Sequence, residues 1–490
     1  MTDTVLIIGS GPVGLTLALE LARYGVAVRI VDRIATRSTT SRAVGIWPRT
    51  LELLERQGLS DDLVARGNRV TAMNISSARK PIARIDLAAV ASRYRFALML
   101  PQSDTEEILE RHLDAAGIRT GLGVELTGLD QDDAGVSATL RHADGREETA
   151  RFAWLVGCDG AHSTIRHALG LSFDGDTMDT SWILADFRLN GAPFPPHEGF
   201  TDWHPDGPLL ILPLGAGRYR MIASDGPAGS APRAAPDAAA VQAVLDHRGP
   251  GGVALTELIW SSAFRINERQ VPRYRDRRVF LAGDAAHIHS PAGAQGMNTG
   301  MQDAVNLAWK LTLVSRGLAR PALLDSYDAE RRPVGAAVIA AAGRMTKATL
   351  IDSATGRALR DGLAHLLLGF APVQHAVVDV AAETSVGYPH SPINGASRHA
   401  PRAAGSRVPP VEGEAPYGAG DTPRFVLRAD EPPPPGLLER FGALIDPTPR
   451  SAAGSGFIEV VRPDGYLVLA APAGDWTAVA AWFDAFVPAG

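Results

Sequence analysis

Residues 4–32 read TVLIIGSGPVGLTLALELARYGVAVRIVD. Val5, Leu6, Ile7 and Ile8 form an unbroken apolar run, the signature of a strand buried on both faces in a parallel sheet. Gly9, Gly11 and Gly14 follow at GxGxxG spacing, with Pro12 among them. Leu15, Leu17, Ala18, Leu21 and Ala22 make one face of a helix that ends at Gly25. Residues 26–31 supply a second strand, and Asp32 closes the unit 18 residues after Gly14. Glycines at this spacing allow a tight turn, let the backbone approach a pyrophosphate, and let helix pack closely on strand. The acidic residue accepts hydrogen bonds from a ribose hydroxyl. The glycine spacing alone is weak, but here the preceding strand, the following helix and the acid are all in place. A glycine-tolerant packing unit would leave Asp32 unexplained. The reading is a dinucleotide site on a βαβ unit, open at this point between NAD(P) and FAD.

A second device lies far downstream. Residues 278–309 read RVFLAGDAAHIHSPAGAQGMNTGMQDAVNLAW. An apolar run over 279–282 predicts a short buried strand, ending at the turn pair Gly283-Asp284. A Pro/Gly-rich loop spans 290–296, and a helix begins near Asn298 with Met301, Val305 and Trp309 on one face. A strand, a tight turn and a glycine-lined helix start together make an anion-holding arrangement. Only one dinucleotide fingerprint is visible, so two such devices point to a single large cofactor gripped from both sides.

Between them, residues 154–169 read WLVGCDGAHSTIRHAL. Asp159-Gly160, Ser163 and Arg166 follow a DGxxSxxR pattern. Taken alone it reads as a helix N-cap, Ser163 capping and Asp159 in a turn.

The rest of the chain bounds the answer. A length of 490 residues implies two or three domains, and 45% apolar with 21% charged residues describes a soluble globular protein with a sizeable core. The formal net charge is −6 with no basic block, which argues against nucleic acid as a partner. Cys158 is the single cysteine; it reads as a small buried hydrophobe, excludes a disulfide framework and points to a reducing cytoplasm. No signal peptide is expected before the first strand, and no stretch is long and apolar enough to predict a membrane span. Lysine occurs only at positions 80, 310 and 347, a bias attributed to GC-rich codons.

Further elements are expected as follows: a helix at 49–57; strands at 70–75 and 96–100; a helix at 104–116; and a β-meander at 123–129, 136–140 and 147–156, with Asp144-Gly145 as a hairpin turn. Strands dominate 172–270, at 182–189, 208–214, 219–223 and 257–267. Helix prevails from the second device to about 385. Residues 395–436 read as a Pro/Gly-rich linker or wrap. Strands at 456–461 and 466–470, with a turn at Pro463-Asp464-Gly465 between them, and a helix at 476–486 close the chain.

The three motifs in this order resemble the single-component FAD-dependent aromatic hydroxylases, the class of p-hydroxybenzoate and phenol hydroxylases. Length and tail look most like the hydroxylases of bacterial aromatic polyketide pathways. The resemblance covers about residues 1–345. It implies an α/β fold: a Rossmann-like FAD-binding domain of the GR2 type (1–75, 98–171 and 272–345), an inserted β-sheet substrate domain (76–97 and 172–271), a helical segment (346–394), and a linker with a thioredoxin-like C-terminal domain (395–490). That tail has no Cys-x-x-Cys, so no redox role is given to it.

The resemblance also distributes roles. Gly9, Gly11, Pro12 and Gly14 would hold the FAD pyrophosphate, Asp32 the adenosine ribose, and Arg33 would lie near the adenine. Arg42 falls where the family has an arginine near a mobile flavin. Gln102 would touch the flavin's sugar chain, and Gly283-Asp284 the ribityl hydroxyls. Asp159 and Arg166 match a motif tied to FAD and pyridine nucleotide. Pro291 would run along the isoalloxazine edge. The main-chain amides of Gly296, Met297 and Asn298, at a helix start, would stabilise the negative rim of the reduced ring.

The implied activity is an NADPH- or NADH-consuming monooxygenase that uses O2 and hydroxylates a phenolic, polyketide-derived aromatic through a C4a-hydroperoxyflavin in a dry site. Baeyer–Villiger oxidation, epoxidation, or a non-oxygenating flavin-binding partner role remain alternatives. The expected state is a cytoplasmic monomer or homodimer with no metal. No side-chain base is assigned; His287 reads as scaffold, and His289 is the other histidine nearby.

Overall fold

The computed structural model describes residues 4–38, 40, 43–229 and 233–488. Val5–Ile8 is the hub of a six-stranded sheet, flanked in parallel by Val28–Asp32 and Trp154–Gly157. Val279–Leu281 and Gly121–Leu122 extend the sheet, also in parallel, and Arg275–Asp276 caps one edge antiparallel. All four residues of Val5–Ile8 are buried, which is why the run carries no alternation. Helices Pro12–Arg23 and Gly296–Ser315 pack against each other beside this sheet. At Gly300 nothing bulkier fits, because a Cβ there would meet Val13 at 2.7 Å. Placing Val279–Leu281 beside Trp154–Gly157 brings all three sequence motifs to the same edge of one sheet.

An eight-stranded sheet stands next to this body. It is built from Ala72–Ser77, Lys80–Asp86, the five strands between Asp174 and Gln270, and His287–Ile288. Its spine is a pair of 17-residue strands, Asp174–Asn190 and Ala254–Gln270, paired antiparallel along nearly their whole length. The sequence predicts both much shorter, since only their middles alternate clearly. One face packs on Val241 and Leu245 of helix Ala238–Arg248, an alanine-rich helix that the strand-dominated reading of 172–270 misses. Helix Leu59–Arg66 is likewise unanticipated.

Two predicted strands each prove to be two, in different sheets. The 70–75 strand divides at Thr71: Asn68–Val70 pairs with Ala97–Met99, while Ala72–Ser77 joins the large sheet. The 147–156 strand divides at Ala153: Glu147–Phe152 ends the antiparallel meander, and Trp154–Gly157 enters the six-stranded sheet. No glycine or proline marks either hand-over, because what changes is the distant pairing partner.

Helices Asp325–Thr349, Ala354–Leu368 and Ala371–Ala381 follow the second device. In the tail, Val426–Arg428 leads through helix Pro435–Phe441 to bridges in parallel at Ile445 and Arg450. Phe457–Val461 and Leu467–Pro472 then add antiparallel, and helix Trp476–Phe486 closes the unit. Its core is continuous with Tyr24, Trp309 and Leu313. Among the described residues no single helix is long and apolar enough to cross a membrane.

Candidate active site

The first glycine loop is shaped by close contacts. Gly9 sits at φ +100°, and a Cβ there would lie 2.3 Å from the carbonyl oxygen of Cys158. A Cβ on Gly14 would lie 2.0 Å from the carbonyl oxygen of Gly9. Gly11 differs: its missing Cβ faces open space, with only Glu106 Oε1 at 3.9 Å. Asp32 braces the loop, its Oδ2 accepting from Ser10 N at 2.7 Å and from Ser10 Oγ at 2.9 Å. A cavity of about 200 Å³ opens here, with Gly9, Gly11, Asp32, Arg33 and Asp159 on its wall.

Asp159 and Ser163 take the capping geometry. Asp159 Oδ2 accepts from Thr164 N at 2.7 Å, and Ser163 Oγ from Arg166 N at 3.0 Å. Asp159 Oδ1 is buried with no partner among the described residues, and burial raises the pKa of the group. Arg166 does not pair with Asp159. Its guanidinium donates to Ala161 O at 2.8 Å and to Ala285 O at 3.3 Å, tying the second motif to the third.

At the third motif, Gly283 N donates to Asp303 Oδ2 at 3.0 Å. The same carboxylate receives His287 Nε2 at 2.8 Å and Arg331 Nε at 2.6 Å. His287 is therefore scaffold. His289 places Nδ1 2.7 Å from Ser290 O, and burial pushes its pKa down to about 4, so the ring is neutral near pH 7. Phenols ionise near pH 10, so a ring of this basicity is a poor proton acceptor for one.

A second cavity of about 310 Å³ gathers Gly11, Pro12, Gln102, Asp284, Pro291, Gly296 and Met297 on its wall. It shares Gly11, Cys158 and Gly160 with the first, so the two form one crevice. Gly296 and Met297 open their helix, and first-turn amides have no acceptor within a helix. Gln102 Nε2 donates to Glu106 Oε1 at 2.8 Å. Gly14, Arg166, Gly283 and Asn298 lie off the crevice wall. Asn298 is fully buried; its side chain accepts from Trp47 N at 2.8 Å and donates to Gly45 O and Ala294 O, both at 2.9 Å. Arg42 lies outside the described residues.

The crevice fits an elongated dinucleotide. Gly11 leaves open the space its Cβ would fill, a carboxyl oxygen stands orphaned near one end, and the first residues of a helix line the other.

Against this crevice lies a third cavity of about 270 Å³, and among the described residues none of its lining side chains is charged. Trp182, Leu210, Leu212 and Ile222 form its sheet wall, Trp47 and Met99 its floor, and Val378 and Ala381 a helical wall. Leu212, Ile222, Ser290, Pro291 and Ala294 border both this cavity and the 310 Å³ one. On the side of the inserted sheet, Trp182, Trp203, Leu210 and Leu212 reach the cavity. Phe187, Phe200 and Met221 face the opposite core, and Phe264 packs beside Trp182. The contribution of Trp47, Met345 and the 371–381 helix carries no signal in the sequence beyond apolarity.

Residues 2–342 match the family described as FAD binding domain. The chain is 41% identical over 401 residues to 6-methylpretetramide 4-monooxygenase of Streptomyces rimosus, spanning 79% of this chain and 70% of that one. It is 37% identical over 361 residues to the 12-dehydrotetracycline 5-monooxygenase/anhydrotetracycline 6-monooxygenase of Streptomyces rimosus subsp. rimosus, spanning 72% and 70%. Among solved structures, OxyS anhydrotetracycline hydroxylase from Streptomyces rimosus superposes with a TM-score of 0.81 at 31% identity, covering 100% of both chains.

Proposed function

We propose that this chain, which belongs to the FAD binding domain family and is a flavin-dependent aromatic monooxygenase, seats its isoalloxazine in the 310 Å³ cavity and a neutral polycyclic phenol in the 270 Å³ cavity beside it. The observation that carries this reading is the shared border of Leu212, Ile222, Ser290, Pro291 and Ala294, which lets two flat ligands meet. FAD, reduced by NADPH or NADH, supplies the activation of O2 that places one oxygen atom on an aromatic carbon.

The chain's own residues bind, orient and exclude. The amides of Gly296 and Met297, at a positive helix end, donate to the electron-rich rim of the ring. Asp284 and Gln102 hold the sugar chain, the Gly9–Gly14 loop holds the pyrophosphate, and Asp32 with Arg33 holds the adenosine end. Pro291 and Ala294 shape the meeting edge, and the uncharged lining keeps water out. Among the described residues that lining carries no arginine or lysine, which favours a neutral polyketide aromatic over a carboxylate, as do relatives that act on 6-methylpretetramide and anhydrotetracycline.

The separate sheets support a division into a flavin-binding body and an inserted sheet, with Ala72–Ser77 and His287–Ile288 belonging to the inserted sheet although the sequence-based bounds at 75 and 272 leave most of the first and all of the second in the body. The β-α-β-β-α order of the tail, with parallel bridges to Ile445 and Arg450 following its first helix, supports a thioredoxin-like reading. Cys158 lies outside that tail and no other cysteine exists, so the tail has no dithiol chemistry.

The test is NADPH and NADH oxidation by the FAD-loaded enzyme with a panel of tricyclic and tetracyclic phenols. At least one is expected to accelerate oxidation by about tenfold or more, the equivalent of about 1.4 kcal/mol in barrier. Rates equal to the substrate-free rate across the panel would overturn the substrate assignment.

A further inference from the structure

On the outer side of the large sheet, the loop after strand Glu198–Asp202 meets the last turn of helix Ala238–Arg248. His204, Asp206 and His247 converge there. One ligand atom from each can be chosen so that all three lie within 4.8 Å of one another. His247 Nε2 is already 2.7 Å from Asp206 Oδ2, and His204 Nδ1 is 3.6 Å from the same oxygen. Ligands at ordinary zinc distances are about 3.3 Å apart in a tetrahedron. The required adjustment is therefore at most about 1.5 Å, and Asp206 and His247 are exposed side chains placed to make it.

The backbone beneath them is fixed. Arg248 Nη1 donates to Ser224 O at 2.8 Å and to Asp206 O and Gly207 O, both at 3.3 Å. The loop thus holds its position while the carboxylate of Asp206 faces outward. His204 is partly buried, and its Nδ1 accepts from Asp206 N at 3.1 Å, a bond that an ion bound through this nitrogen would displace.

We infer that His204, Asp206 and His247 form a binding site for a borderline transition-metal ion of the zinc type, with water completing the coordination. Two imidazoles and one carboxylate suit such an ion and not calcium or magnesium, which take oxygen ligands. The site stands apart from the flavin crevice and has no part in oxygen transfer. Its neighbour in sequence is Trp203, which lines the apolar cavity and lies under the guanidinium of Arg360 at 5.0 Å. A bound ion would clip this loop to helix Ala238–Arg248 and hold one wall of the cavity in place.

The test uses tag-free, FAD-loaded enzyme, stripped with a chelator and titrated with zinc sulfate by calorimetry. One equivalent per chain is expected, along with a zinc-dependent rise in melting temperature. His247→Ala and Asp206→Asn are each expected to weaken zinc binding by about a hundredfold, the upper end of what even an indirect supporting group contributes to a metal site. Both variants replace exposed side chains and are expected to keep their flavin spectrum, which separates this proposal from the assignment of the crevice. Absence of zinc binding in the wild type, or equal binding by the variants, would overturn it.

Discussion

Glu383 shows how a single residue couples the flavin side of the crevice to the substrate side. It sits just beyond helix Ala371–Ala381, at φ +58°, and its carboxyl group is fully buried. Thr299 Oγ1 donates to Oε1 at 2.9 Å and Gln302 Nε2 donates to Oε2 at 2.5 Å, so the substrate-lining helix is pinned to the helix that opens at Gly296. Burial raises its pKa from 4.5 to about 8, against the opposing pull of these hydrogen bonds and of Arg331. The native state therefore binds this proton more tightly than the unfolded chain does. The stability it contributes is complete below the unfolded value and is lost as pH rises toward the folded one. Glu383→Gln keeps the neutral form at every pH. The stability of this variant relative to wild type, from urea unfolding, is expected to grow between about pH 5 and 8, by up to about 1.4 kcal/mol per pH unit, and to level off above. A flat difference would show that Glu383 is charged in the folded protein. Asp303 behaves in the opposite sense: burial would raise its pKa, but Arg331 and His287 outweigh burial and hold it low.

At the scale of elements, the strand–turn–helix over residues 4–32 was legible because its constraints are local. Gly9 and Gly14 answer contacts within the unit or on the adjoining Cys158 loop. The prediction that follows is Gly14→Ala. Its methyl group would fall 2.0 Å from a backbone oxygen that has no rotamer to yield, and overpacking of this kind costs about 1–3 kcal/mol. FAD affinity, followed by flavin fluorescence, is expected to fall by about ten- to a hundredfold. Unchanged affinity would mean that the helix start does not carry the cofactor. The helix Trp476–Phe486 was legible for the same local reason: its expected and observed limits coincide. The hand-overs at Thr71 and Ala153 were not, since strand pairing is decided by residues more than a hundred positions away. Nor was the cavity wall supplied by helix Ala371–Ala381, whose apolar residues read equally as core. Only the folded register shows that Val378 and Ala381 face the cavity while Val380 lies exposed.

Across the whole molecule, the tail and the flavin-binding body form one buried electrostatic unit. Glu330 receives Arg462 through two hydrogen bonds, 2.7 and 2.9 Å, and Lys310 at 2.7 Å, all fully buried. Arg462 also binds Asp464, whose Oδ2 accepts from Trp309 Nε1 at 3.2 Å. The tail's Asp464 meets this helix at Trp309, well beyond the first turn that opens the crevice, so the tail supports the site without lining it. Nothing in the spacing of Lys310, Glu330 and Arg462 announces the cluster, because charges so far apart in sequence are paired only by the fold.

The most direct measurement is turnover of an accepted phenol by the FAD-loaded enzyme with NADPH under isotopically labelled dioxygen, read by mass spectrometry. A product carrying one labelled oxygen atom on an aromatic carbon is expected. A product whose added oxygen comes from water, or flavin reoxidation that yields only hydrogen peroxide with every aromatic offered, would contradict a flavin and an aromatic substrate meeting across Pro291.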